Sequence, residues 1–143
     1  MSSALLRAGA IAVAVAAGVA SSPWDDPGTV AGRIFDAVLL LTPASATRDG
    51  IDEARRLAPE TTVAVAAKQL GTGGMVSSQD TVPFTLWCVG QHINSFVDAL
   101  WTTVGGFGDR DTTCAIVGGI LGGSGALIPD SWLTAREPLQ MGP

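Results

Sequence analysis

Residues 8–20 consist entirely of Ala, Val, Gly and Ile. Ala is the strongest helix former and no Pro interrupts residues 4–20, so this stretch predicts a helix. Such a helix has no polar face to turn toward water and must be covered on most sides. The stretch is shorter than the roughly 20 residues that cross a bilayer. Behind Arg7, with Gly18-Val19-Ala20 imitating a signal-peptidase site, it also admits an export-signal reading. Its richness in Ala rather than Leu favours the buried helix. The run 115–126 is likewise too short to span, and its five glycines weaken it further, so no membrane segment and no membrane partner is predicted.

A chain of 143 residues that is 47% hydrophobic and 15% charged can bury one core, so a single domain over 1–143 is expected. The 8 Lys+Arg against 13 Asp+Glu give a net charge of −5. Without a basic cluster there is no footprint for a phosphate backbone, and nucleic acid is excluded as a partner. Cys88 and Cys114 form no CxxC, and His92 is the single histidine. Neither a zinc site nor a disulfide framework is indicated, and a reduced, cytoplasmic setting is the expectation.

The remaining pattern is helical. Asp26-Pro27 reads as a helix start, with Asp26 as cap and Pro27 in the first helical position, and this helix runs to about Leu41 with Ile34, Val38 and Leu41 on its packed face. Residues 47–57 carry Asp52-Glu53 early and Arg55-Arg56 late, the order that the helix dipole favours, in a mostly solvated helix. Residues 60–70 place Val63, Ala66, Ala67 and Leu70 on one face before Gly71-Thr72-Gly73-Gly74 stops them. Residues 81–91, 96–104 and 112–121 complete a compact all-α domain of orthogonally packed helices. No period-2 strand pattern, repeat or linker divides it.

The run Gly108-Asp109-Arg110-Asp111-Thr112-Thr113 concentrates oxygen donors at a turn-to-helix junction. Carboxylates, a hydroxyl and retained water are the ligands that Mg²⁺ prefers. From residue types alone, a helix cap is the simpler reading, because a DxD pair is short and common. Gly118, Gly119, Gly122 and Gly123 suggest a close helical seam. Ser78 or Asp80 is expected to cap the helix that carries Pro83. His92 suits a helix carboxyl end, Asp25-Asp26 reads as a cap, and Cys88 and Cys114 read as inert thiols. Trp87, Trp101 and Trp132 are expected in the core.

Several ordered motifs then coincide. Asp80-Thr81-Val82-Pro83-Phe84 with Leu86-Trp87, the helix from Phe96 to Ala99, Gly108-Asp109-Arg110-Asp111-Thr112, Ala115-Ile116-Val117-Gly118-Gly119-Ile120, and Ile128-Pro129 with Trp132-Leu133 follow one another in sequence. Together they resemble the carboxyl-terminal part of the ADP-ribosylglycohydrolase family, relatives of the enzyme that removes ADP-ribose from dinitrogenase reductase. The Ala-rich first helix also looks like a helix upstream in that family.

The resemblance implies an all-helical fold with two Mg²⁺ ions, Mn²⁺ being a substitute, held in part by Asp109, Asp111 and Thr112. It implies hydrolysis of the bond between ADP-ribose and an acceptor, in an ADP-ribosylated protein or an ADP-ribose-containing small molecule. The family's amino-terminal TDDT-type motif and its early glycine loop do not occur here, and Phe107-Gly108 stands where the family has Gly-Gly. The fold is therefore expected to be incomplete, lacking an amino-terminal half, with half of the metal centre absent. The alternative is a stand-alone, inactive helical module that binds metal, nucleotide or a protein partner.

Overall fold

The computed structural model describes residues 3–24, 26–140 and 142, apart from the side chains of residues 4–6. Among the described residues there are eight α-helices, one 3-10 turn and no strand. No described helix is long and apolar enough to cross a membrane.

Helix α1 (Ser3–Ser21) packs through Ala8, Ala12, Ala16 and Ala20, all fully buried. Their spacing of four puts them on one stripe, and their small size lets α2 and α7 approach closely. The helix is covered on most sides as expected, and one stripe, Ala10, Ala14 and Gly18 on the opposite face, is left exposed. Burying an alanine methyl is a small gain, so the absence of a polar face did not compel full cover.

Helix α2 (Pro27–Leu41) starts as expected, with Asp26 Oδ1 accepting from Gly28 N at 2.9 Å. Val30, Ile34, Phe35, Val38 and Leu39 are buried, whereas Leu41, expected on the packed face, is 57% exposed in the final turn. Helix α3 (Ala46–Arg56) is capped by Ser45 and inserts Ile51 and Ala54 into the core. Arg48 Nε donates to Leu39 O at 2.8 Å and Arg55 pairs with Asp36 at 2.5 Å, so two cations tie α3 to α2. Helix α4 (Val63–Leu70) buries Ala66 and Leu70, and ends at Gly71 with φ +84°.

The helix that is covered all round is α5 (Val82–Gln91). Every residue from Val82 to Val89 is buried, with Phe84, Leu86, Cys88 and Val89 fully so. A helix hydrophobic around its circumference occupies the centre of the fold, and α1, α2, α3, α4, α6 and α7 all contact it. Its buried Thr85 satisfies its hydroxyl on Val82 O, as Thr103 does on Ala99 O in α6. The Phe84 and Trp87 rings stack at 6.1 Å. Burial pushes the Cys88 thiol up to about 12, which keeps it unreactive as expected, and partial burial also raises Cys114.

Helix α6 (Phe96–Gly105) is capped by Ser95 and anchored by a 2.8 Å bond between Thr102 Oγ1 and His92 Nε2 at the end of α5. Trp101, expected in the core, is 65% exposed on α6, because Phe96, Ala99 and Thr103 occupy its packed face. Helix α7 (Arg110–Gly122) buries Thr113, Val117, Ile120 and Leu121. The expected glycine seam is not formed along it. A methyl at Gly119 or Gly122 would meet nothing within 4 Å, and at Gly118 only the Phe96 ring at 3.8 Å. Gly123, just past the helix, is the one pressed against Ser21. A short α8 (Asp130–Ala135), which the periodicity did not suggest, sets Trp132 edge-on to Phe96 at 6.2 Å.

The contrast between α5 and α7 is measurable by chemical denaturation. Phe84→Ala removes a fully buried ring and is expected to cost about 3–5 kcal/mol. Gly119→Ala, on open helix, is expected to stabilise the chain by about 0.5–1 kcal/mol.

Candidate functional site

The amino end of α7 meets the loop between α4 and α5. Gly108, at φ +63°, presses against Thr72, and a Cβ there would lie 2.5 Å from the Thr72 carbonyl oxygen. Only glycine fits that approach without moving backbone. The result is a hydrogen bond from Asp109 N to Thr72 O at 2.9 Å, which fixes where the first carboxylate leaves the chain. Gly73, at φ +89°, lies against the Asp109 Cβ and Thr81 Oγ1.

The loop itself hangs on Asp80. Asp80 O accepts from Gly73 N at 2.7 Å and Asp80 Oδ2 from Met75 N at 2.7 Å. Residues Ser78–Asp80 form the 3-10 turn, and the residue at the N-cap of α5, Thr81, makes no side-chain cap bond. Asp80 and Ser78 therefore do not cap α5 as expected. The Asp80 carboxylate is instead spent on the glycine loop, and the Ser78 hydroxyl bonds Thr47 Oγ1 at 2.8 Å. The signal for the Asp80 role was present in the sequence as a four-residue run of Gly and Thr with an acidic residue shortly after it. Backbone amides freed by a glycine turn need an acceptor, and a nearby Asp provides one.

Asp109 is the N-cap of α7, with Oδ1 accepting from Thr112 N at 3.1 Å. Bonds from Thr112, first from its side chain and then its backbone, hold the Asp109 carboxyl below the ordinary aspartate value, keeping it ionised. The Asp111 side chain is exposed and makes no hydrogen bond or ion pair among the described residues. Asp111 and Thr112 line one open concavity of about 550 Å³ with Val13, Ala115, Ile116 and Gly119. Asp109 is not among its lining residues. A neighbouring hollow of about 440 Å³ continues the same apolar face along Gly9, Ala10, Val13 and Ala14 to Val82, sharing Val13 and Ile116. Among the described residues no group of three or more His, Cys, Asp or Glu is placed to hold a metal ion.

His92 and Cys88 are engaged in packing away from this junction. Asp26 caps α2, and Asp25 lies outside the described residues.

An all-helical fold that presents a Gly-Asp-x-Asp-Thr turn at an open apolar concavity matches the sequence model of one protein family, the ADP-ribosylglycohydrolases, over residues 2–140. The chain belongs to that family. It finds no significant match among curated proteins or solved structures.

The depressed Asp109 value sets a pH dependence. Its contribution to stability is full above the ordinary aspartate value and is lost as pH falls through the lowered folded value. Asp109→Asn keeps a capping oxygen but cannot titrate. The stability advantage of the wild type over this variant, measured by urea unfolding from neutral to strongly acid pH, should therefore shrink to nothing at the acid end.

Proposed function

We propose that Asp109, Asp111 and Thr112 form one side of a Mg²⁺ centre that hydrolyses the bond between ADP-ribose and an acceptor side chain or small molecule. The observation that carries this reading is the unpaired Asp111 carboxylate beside Thr112 on the wall of an open concavity, two residues from an ionised Asp109. The donor set is all oxygen, as a hard cation requires. Capping and metal binding are compatible at Asp109, because a carboxylate offers two oxygens and Oδ1 alone serves the cap.

Two ions, Mg²⁺ or in its place Mn²⁺, would supply charge stabilisation at the breaking glycosidic bond and an acidified water. The chain's own residues prepare for this. Thr112 N holds Asp109 in its charged form, Asp111 adds a second anionic donor, and the Thr112 hydroxyl a neutral one. Val13, Ala115 and Ile116 give the concavity apolar walls, which weaken dielectric screening around those charges once a ligand displaces water.

The 143 residues contain no TDDT run, and we assign the opposing ligands to a further helical segment that bears one. The exposed faces of α1 and α7, with Ala10, Ala14, Ala115 and Gly119, offer that segment a surface ending at Asp111. The chain by itself should then release little or no ADP-ribose from modified substrate. Adding the TDDT-bearing segment, fused or separate, should produce Mg²⁺-dependent release, and Asp109→Ala or Asp111→Ala should lower it by at least about a hundredfold. Release assays on arginine- and serine-linked substrates make the comparison. Robust turnover by these residues alone would overturn the divided site. Release indifferent to both substitutions would remove the metal role and leave a binding module.

A further inference from the structure

Phe107 stands out as a residue that the fold holds in an unfavourable state and does not bury. Its φ is +59° and its side chain is 68% exposed. The left-handed region disfavours a bulky L side chain, and an exposed ring gains no burial in return. The conformation is imposed from both sides. Phe107 N donates to Val104 O at 3.0 Å, Gly106 before it lies against the Phe84 ring, and Gly108 after it is pressed onto Thr72. Glycine would occupy the position without strain and without exposed apolar surface. Strain and exposure at one residue both oppose stability, and such residues concentrate where a ligand is gripped.

The second loop repeats the pattern. Val76 is β-branched, has φ +52° and is 87% exposed, and Met75 beside it is 79% exposed. Both are held by the loop that Asp80 anchors, and that loop is joined to Phe107's by the Asp109 N to Thr72 O bond. Two loops joined by a backbone hydrogen bond at Asp109 thus each carry an exposed apolar side chain on left-handed backbone.

We infer that Phe107, supported by Met75 and Val76, is the contact for a polypeptide acceptor, the leaving-group side of the bond to be cleaved. This rests on the glycohydrolase reading above. Two residues of chain span at most about 7 Å, so Phe107 stands beside whatever group Asp109 serves. The hydroxyls and phosphates of ADP-ribose require polar partners, which a phenyl ring does not provide. The adenine ring is separated from the reacting ribose by two phosphates and a second ribose, beyond a residue so close to Asp109. The acceptor is the part that remains. Side chains this exposed are covered by a ligand that extends over the surface, as a polypeptide does and a small molecule does not.

The test titrates the full chain together with the TDDT-bearing segment, in Mg²⁺, with an ADP-ribosylated peptide and with free ADP-ribose, following binding by NMR. The wild type should prefer the peptide by about tenfold. Phe107→Asn suits left-handed backbone and should melt at the same or a higher temperature while losing that preference; Phe107→Trp should keep it. A Phe107→Asn chain that binds both probes as the wild type does, or that loses the preference together with its melting temperature, would overturn the inference. Equal wild-type affinity for the two probes would overturn it and leave the glycohydrolase reading standing. Failure of the wild type to bind either probe would remove that reading and the inference with it.

Discussion

The structure depends on burying α5 from every side. Val82 to Val89 is an uninterrupted buried run; Thr85 bonds back to Val82 O and Cys88 remains a neutral thiol, while the Trp87 indole N–H is buried with no hydrogen-bond partner among the described residues. A helix without a polar face can exist only if neighbours are packed around it, and six of the other helices are so placed. The loop that precedes α5 must then return to the centre of the molecule. That return brings Asp80, and the glycine turn it anchors, against the start of α7. The candidate site is a by-product of central burial. Its carboxylates stand where the chain entering the core helix meets the chain entering α7.

At that meeting point one side chain has two tasks. Asp109 satisfies an amide of α7 that would otherwise be orphaned, and its charge is held by the same Thr112 contacts. A cap and a cation ligand ask for the same thing, an ionised carboxylate fixed at a helix start. Asp111, one position into α7, has no such structural employment. The difference explains why the pair reads ambiguously as sequence. DxD at a helix start satisfies the rule for capping through its first residue and leaves the second without explanation.

The apolar helices α1 and α7 illustrate the limit of reasoning from composition. Both lack a polar face over most of their length, yet each leaves one side open, at Ala10, Ala14 and Gly18 on α1 and at Ala115, Gly119 and Gly122 on α7. Small residues carry little area, so exposing them costs little and they tolerate solvent where Leu or Phe would not. On α7 the bulkier Val117, Ile120 and Leu121 are buried, whereas on α1 the fully buried residues are the small Ala8, Ala12, Ala16 and Ala20, and Ile11, Val13, Val15 and Val19 are half-buried. The concavity that holds Asp111 and Thr112 is walled largely by this small-residue surface.

What the sequence determined by itself is local and ordered. Seven of the helices were legible from apolar spacing and from punctuation by Pro, Gly and Ser, as at Asp26-Pro27 and Gly71 to Gly74. The family was legible because several motifs recur in order, and Asp109, Asp111 and Thr112 were marked by that order rather than by their chemistry alone. Tertiary structure decided which of two apolar helices is central, because total buried bulk, and not hydropathy, selects α5 over α1. It also decided that Asp80 anchors a glycine loop instead of capping a helix, that Trp101 faces solvent, and that Phe107 is held outward on left-handed backbone. The placing of Phe107 follows from a contact between segments far apart in the chain. Thr72 touches Asp109 only after the core has closed, and no periodicity within a single segment encodes that, whereas the Asp80 to Met75 bond spans only five residues.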